Sequence, residues 1–360
     1  MKRFYSCILL LFVALSLLIA QPVTELKEEA NATVSFTDSS NRTVELPTNM
    51  TKIAPSGNVA TMVFSCLAPE YMTVANSTPS TEQMKYLPQE LLSVPPVGQL
   101  YGGKATLNLE EMMATGSQVM IDIGDYKNGI EADLDSFTAQ TGIPAIFLAG
   151  DLESLASSFR KIGALLKDKE ERAEEIASFI DETISMAKVN SAKVKEEEKV
   201  TIMFSSSTDG LGTNAKGSSQ AQVIDFIGAI NAIEVEKVSA KGGGNQINME
   251  QLYNFNPDII LFAEDTVYDT VSSDPAWAEL DAIKKGLYYE IPSNPYCWMG
   301  TPPSLNMVLG IWWLGNLVYP QYYDYDMVEV TKKAYKVFWG YDMTSEEAMS
   351  ILSNSTLKTR

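Results

Sequence analysis

Residues 151–195 contain one glycine, Gly163, and no proline, and they are dense in Ala, Glu, Lys and Leu. A run of this composition reads as helix. Ile176, Phe179, Ile180 and Ile184 recur at helical spacing, so one face is apolar. Gly163 and the Lys167-Asp168-Lys169 group are the points at which the run divides into two helices, the second over residues 170–194. Those 25 residues would span about 37 Å, enough to cross from one lobe of a protein to another.

On both sides of this block, short apolar strands alternate with helical segments. Before it, Val34-Ser-Phe-Thr and Thr43-Val-Glu-Leu flank a turn and are closed by Pro47, a hairpin pattern. Lys52-Ile-Ala then leads into a helix over residues 59–67, and Met72-Thr-Val-Ala reads as a strand. Asn108-Leu-Glu-Glu-Met-Met opens a short helix before the strand Val119-Met-Ile-Asp-Ile, and a helix over 131–141 precedes Ala145-Ile-Phe-Leu. After the block come Val200-Thr-Ile-Met-Phe, a helix over 219–230, a short helix over 250–255 and Asp258-Ile-Ile-Leu-Phe. Residues 277–284, Leu287-Tyr-Tyr-Glu-Ile and an apolar helix over 305–318 follow. Strand–helix alternation of this kind builds mainly parallel sheets. The expected fold is α/β: two Rossmann-like lobes, residues 21–150 and 196–360, joined by one long helix within 151–195. The second lobe carries C-terminal helices.

The chain begins as an export signal. Lys2 and Arg3 precede an apolar run over residues 7–20, and polar sequence starts at Gln21. That length suits a signal peptide, residues 1–20, cleaved after about Ala20 or retained as an anchor. The expected location is therefore the periplasmic or extracellular face of the membrane. Five Asn-x-Ser/Thr tripeptides, at Asn31, Asn41, Asn49, Asn76 and Asn354, are compatible with it. Cys66 and Cys297, 231 residues apart, read as small, partly buried apolar residues, or as a disulfide that an oxidising compartment would permit.

Composition removes whole classes of chemistry. The chain has no histidine, which excludes Ser-His-Asp and Cys-His nucleophile pairs and His-ligated metals. With 46 acidic against 27 basic residues the net charge is −19, which repels nucleic acid. At 45% hydrophobic residues the chain buries a full core.

The candidate binding residues lie in loops after strands, where ligands of α/β folds gather. Gly210-Leu-Gly-Thr-Asn-Ala-Lys-Gly-Ser-Ser follows a strand and opens a helix, yet fails both nucleotide fingerprints: Ser218 stands at the Walker lysine position, and the third dinucleotide glycine is missing. As a general ligand loop it offers Asn214, Lys216 and Ser218; as a plain solvated turn it offers nothing. The proline-stiffened segment from Ser293 to Pro303 carries Tyr296, Trp298 and Met299, which stack on a flat ligand or cap the next helix. Tyr101, Tyr126 and Lys127 sit in comparable loops of the first half, and Ser56 and Asn58 join the first strand to its helix. Most acids read as solvated charge. Glu110 and Glu250 are different, because they begin short helices in equivalent places of the two halves and form a matched surface pair; acids are also favourable at any helix N-terminus.

Taken in order, several blocks resemble the exported solute-binding proteins of iron-siderophore and cobalamin (class III) ABC importers. They are Val34-Ser-Phe-Thr-Asp…Asn-Arg-Thr-Val-Glu-Leu-Pro, Lys52-Ile-Ala-Pro-Ser, Pro96-Val-Gly…Asn108-Leu-Glu, Gly142-Ile-Pro, Asn248-Met-Glu-Gln-Leu…Asn256-Pro-Asp-Ile-Ile, Asp274-Pro-Ala-Trp and Pro302-Pro-Ser…Val318-Tyr-Pro. The resemblance covers roughly residues 34–325. It implies two α/β lobes on a rigid helix, a ligand in the cleft between them, and docking on permease arginines through one glutamate per lobe, here Glu110 and Glu250. It implies a monomer that captures a metal-containing organic complex, a ferric siderophore, corrinoid or haem-like macrocycle, with no resident cofactor, no catalysis and no nucleic acid. The five arginines, Arg3, Arg42, Arg160, Arg172 and Arg360, fall outside the expected cleft loops, which argues against a tri-anionic catecholate. Two other readings stay open on the same scaffold: an extracellular carboxylate-dependent hydrolase, which needs two acids facing one another, and a surface sensor or adhesion module.

Overall fold

The computed structural model describes residues 32–101, 106–239 and 244–356. The expected signal peptide, the Asn31 tripeptide, Arg3, Arg360 and the centre of the Gly242-Gly-Gly run lie outside the described residues.

A hairpin opens the fold. Strand β1 (Thr33–Thr37) pairs antiparallel with β2 (Thr43–Pro47). Asp38 at its turn is almost fully buried and accepts from the backbone N–H groups of Arg42 and Phe147 and from the Arg42 guanidinium at 3.1 Å. These bonds satisfy the carboxylate and pin the hairpin to the next sheet.

That sheet is parallel, in the order β3 (Ile53–Pro55), β4 (Val119–Gly124), β5 (Ala145–Ala149). Its apolar strands are covered on both faces, as parallel sheets require. The segment Met72-Thr-Val-Ala, expected as a strand, contributes only isolated bridges, Ile53 with Met72 and Ala75 with Pro96. Pro95 and Pro96 lack the N–H donors that would extend the ladder.

The second sheet joins β6 (Thr201–Ser205), β8 (Ile230–Asn231), β10 (Ile259–Phe262) and β11 (Tyr288–Glu290) in parallel. A short antiparallel edge of β7 (Gly212–Thr213) and β9 (Asn245–Gln246) completes it. The loop that mimics a phosphate cradle thus spends Gly212 on a strand edge. The helix expected over 219–230 is shorter, Gln222–Phe226 after one 3-10 turn. Gly228, at φ +86°, stops it and turns Ile230 into β8.

The helical block is two antiparallel helices, Leu152–Leu166 and Glu170–Ser191. They divide at Lys167, which takes a left-handed φ of 56°, and not at Gly163. Gly163 serves close approach: a Cβ there would lie 2.5 Å from the Ala173 Cβ. The second helix, 22 residues and about 33 Å long, buries Ile176, Phe179, Ile180, Thr183 and Ile184. Trp312, on the helix Asn306–Val318, donates to Thr183 Oγ1 at 2.8 Å. The C-terminal helices Met327–Trp339 and Ser345–Leu352 return to the first half. Arg172 there bonds both Cys66 O and Phe338 O, Tyr86 meets Tyr335 edge-on at 5.3 Å, and Lys85 pairs with Glu347 at 3.0 Å. The halves are therefore braced twice, by the long helix and by this returning pair.

An internal duplication is visible in residues 108–125 and 248–265. Asn108 and Asn248 each cap a short helix by accepting the backbone N–H three residues on, at 3.2 and 2.9 Å. The helices are Leu109–Ala114 and Met249–Phe255. Met112 and Leu252 are fully buried, and Gly116 and Asn256 both adopt left-handed φ after the last turn. Strands β4 and β10 start at the same distance, and Asp125 and Asp265 stand at equivalent positions beyond their carboxyl ends.

Candidate functional site

The carboxyl ends of the two sheets face one another across a cleft with two chambers. The larger, about 810 Å³, takes Asn58, Thr61, Asn76, Ser77, Ser80, Glu82 and Gln83 from the first half, and Ser206, Glu264, Asp265, Asn294, Tyr296 and Thr301 from the second. The smaller, about 490 Å³, takes Asp125 from the first half and Ser218, Ser219, Gln220 and Gln222 from the second. The arrangement is crossed. In each chamber, residues at the start of a helix in one half meet the aspartate that follows the equivalent strand of the other.

Local structure sets these side chains. Asn58 is the first residue of the helix Asn58–Leu67, whose N-cap, Gly57, provides no side-chain cap. That leaves the opening N–H groups directed out of the helix end, beside the larger chamber. Ser80 and Gln83 form a capping box at the helix Thr81–Met84, and the Gln83 amide donates across the cleft to Pro295 O at 2.8 Å. Glu82 is held below the ordinary carboxylate range by its own backbone N–H, then by the Ser80 hydroxyl. Glu264 is pushed above that range, first by partial burial and then by the carboxylates Asp265, Glu290 and Glu82. Neither chamber has a lysine or arginine among its described lining residues. The larger chamber is therefore hydroxyl- and amide-rich with a negative bias. It differs from the aromatic- and lysine-lined cleft that the sequence suggests.

Of the candidate binding residues, Asn58 and Tyr296 line the larger chamber and Ser218 the smaller. Tyr296 is half-buried, and burial raises its phenol well above the usual value. The others are engaged elsewhere. Ser56 is buried and donates to Asp122 Oδ1. Lys127 lies 3.4 Å from Asp122 and 4.3 Å above the Tyr101 ring, and Tyr126 donates to Glu131 at 2.9 Å. Lys216 is ion-paired with Glu234. Asn214 is fully buried away from both chambers; Asn231 donates to its backbone carbonyl at 2.9 Å, while the Asn214 side-chain amide has no hydrogen-bond partner among the described residues.

Trp298 is a correction. It is fully buried, not presented to a ligand. The loop folds back onto the helix Asn306–Val318: the Trp298 backbone N–H donates to Pro292 O at 3.0 Å, and the Asn306 side-chain amide donates to Cys297 O. Gly310 admits the loop backbone so closely that a Cβ would lie 2.1 Å from Trp298 O. The cysteines behave as small apolar residues, the first of their two readings, since burial pushes Cys66 up to about 12 and Cys297 to about 11.

Glu82, Glu264 and Asp265 are chamber residues that sequence reasoning missed. Asp265 carried a signal, because it follows a strand as Asp125 does. Glu82 carried only the Ser80-x-x-Gln83 capping pattern, which marks a helix and not a ligand. Glu110 and Glu250 are the second residues of their equivalent helices, and both are exposed on the outer surface, apart from the chambers.

A family model described as periplasmic binding protein matches residues 77–295. The molybdate-binding protein MolA of Haemophilus influenzae is 28% identical over 132 residues, 36% of this chain and 36% of that protein's length. An ABC transporter solute binding protein from Sulfurospirillum deleyianum superposes with a TM-score of 0.81 at 24% identity, covering 89% of this chain and 99% of that one. The Helicobacter pylori protein CeuE, solved as a Ni-His complex, gives a TM-score of 0.64 at 15% identity, covering 91% and 100%.

Proposed function

The chain belongs to the periplasmic binding protein family, and from that premise we propose that it is the exported solute-binding component of an ABC importer, carrying a neutral or cationic metal-containing organic complex. The observation that carries the reading is the larger chamber: about 810 Å³, lined from both halves, at the carboxyl ends of parallel strands. That volume suits a chelate of siderophore size better than a bare ion. The charge class follows from Glu82, Glu264 and Asp265, which favour positive charge, and from a described lining without Lys or Arg. Ferric hydroxamates and corrinoids fit that charge class; a haem-like macrocycle fits it only with its anionic propionates turned away from Glu82 and Glu264. Family members are binding proteins, so Glu82 and Glu264, on opposite walls, are read as ligand contacts and not as a hydrolytic pair.

One observation favours a second reading, an oxyanion such as the molybdate in MolA's name. The uncapped start of the helix Asn58–Leu67 lines the same chamber, and helix N-termini attract anions. Thermal-shift titration separates the two. A ligand bound by the native state alone adds about 2.7 kcal/mol at 100 times its Kd. A ferric hydroxamate, cobalamin or haem should raise the midpoint and sodium molybdate should not; a shift with molybdate alone overturns the charge argument.

Delivery runs through Glu110 and Glu250 to the permease subunits. In a Glu110→Ala, Glu250→Ala variant, uptake of the ligand so identified should fall at least tenfold with ligand affinity unchanged. Unimpaired uptake refutes the docking role of the two glutamates.

A further inference from the structure

Glu110 and Glu250 are not all that the two equivalent helices present to solvent. One turn along the same face stand Met113 and Tyr253, each 42% exposed. A single exposed apolar side chain carries no message. Here the exposure recurs at the same register in two segments of different sequence, Leu-Glu-Glu-Met-Met-Ala and Met-Glu-Gln-Leu-Tyr-Asn. The buried Met112 and Leu252 orient the two faces alike. Tyr253 is also fixed in place, since its hydroxyl donates to Ala276 O at 2.6 Å.

We propose that Met113 and Tyr253 are the apolar anchors of the docking surface, one beside each glutamate, and that the partner is a membrane transporter offering two cationic sites each bordered by an apolar pocket. This rests on docking through Glu110 and Glu250. Charge complementarity selects the partner: exposed carboxylates on both helices require basic counterparts. A second copy of this chain, at net charge −19, would set acid against acid. The division of labour is physical. Exposed charges steer encounter and give it a salt dependence, while a buried Met or aromatic contact governs how long the complex lasts.

The test is saturable binding of fluorescently labelled protein to sealed, right-side-out membrane vesicles of the native host, with protein-free vesicles of the same lipids alongside. Met113→Ser with Tyr253→Ser should weaken binding about tenfold, mainly through faster dissociation and with little change in salt dependence. Tyr253→Phe, which keeps the ring, should bind as the parent does, and so should Met349→Ser at an exposed methionine elsewhere. Glu110→Ala with Glu250→Ala should instead slow association and flatten the salt dependence. Parent-like binding by the serine pair overturns this inference while a weakened acidic pair leaves the docking role standing. Parent-like binding by the acidic pair with a weakened serine pair does the reverse. Equal binding to protein-free vesicles overturns the choice of a transporter as partner.

Discussion

In residues 108–125 and their counterpart 248–265, cap, buried anchor, left-handed stop, strand and closing aspartate coincide position by position. Around the cleft the two halves part company. In the first, β3 runs directly into the ten-residue helix Asn58–Leu67. In the second, β6 is followed by the β7 edge, a 3-10 turn and only five residues of helix, Gln222–Phe226. The outward helices need only a local code, an asparagine cap and one buried residue, so they can stay alike. The chambers are built from loops that differ, so a large chamber with Glu264 and Asp265 opposes a small one with Asp125. At the position equivalent to Glu264 the first half has Gly124.

Steric filling separates the two chambers most strongly. Asn58→Trp, at the exposed start of its helix in the larger chamber, should lower affinity for the ligand found by thermal shift about 100-fold, near 2.7 kcal/mol. Ser219→Trp, in the smaller one, should change it less than about threefold. Isothermal titration of both variants measures the asymmetry, and equal losses would mean that the ligand spans both chambers.

Glu264→Gln probes the charge that only the second half carries. Because the folded state raises this carboxyl, the protonated form is favoured, and its contribution is present at low pH and lost as pH rises through the raised value. The amide should therefore raise the melting midpoint at pH 7, by about 1–2 °C for a group this exposed. The gain should vanish below about pH 4. Calorimetry across that range checks it, and a variant less stable at pH 7 would contradict the sign.

Much of this was legible in the sequence because it rests on local rules. The Gly- and Pro-poor block, the apolar strands and the two asparagine-capped helices each announce themselves within a few residues. The misses have tertiary causes. Gly228 ends a helix whose apolar spacing continues past it, and the Met72 segment reads as a strand until Pro95 and Pro96 deny it donors. Trp298 looks like a loop aromatic until Gly310 lets the loop sink onto a helix. Glu82 and Glu264 join one chamber although 182 residues separate them, and no spacing rule spans that distance.

The smallest effect concerns the outer helices. Asn248→Ala and Asn108→Ala should each cost about 1 kcal/mol in urea denaturation. The loss at Asn248 should be larger, because its side chain accepts the cap bond at 2.9 Å against 3.2 Å at Asn108. A reversed order would break the equivalence drawn between the two helices.

Capture of a metal-containing organic ligand in the larger chamber is tested most directly on protein purified from its native host under mild conditions. Visible absorption and mass spectrometry of what co-purifies should reveal one ferric chelate, corrinoid or haem-like macrocycle per chain, absent from Asn58→Trp. A metal-free ligand, an oxyanion, or a chelate retained undiminished by Asn58→Trp would contradict the account.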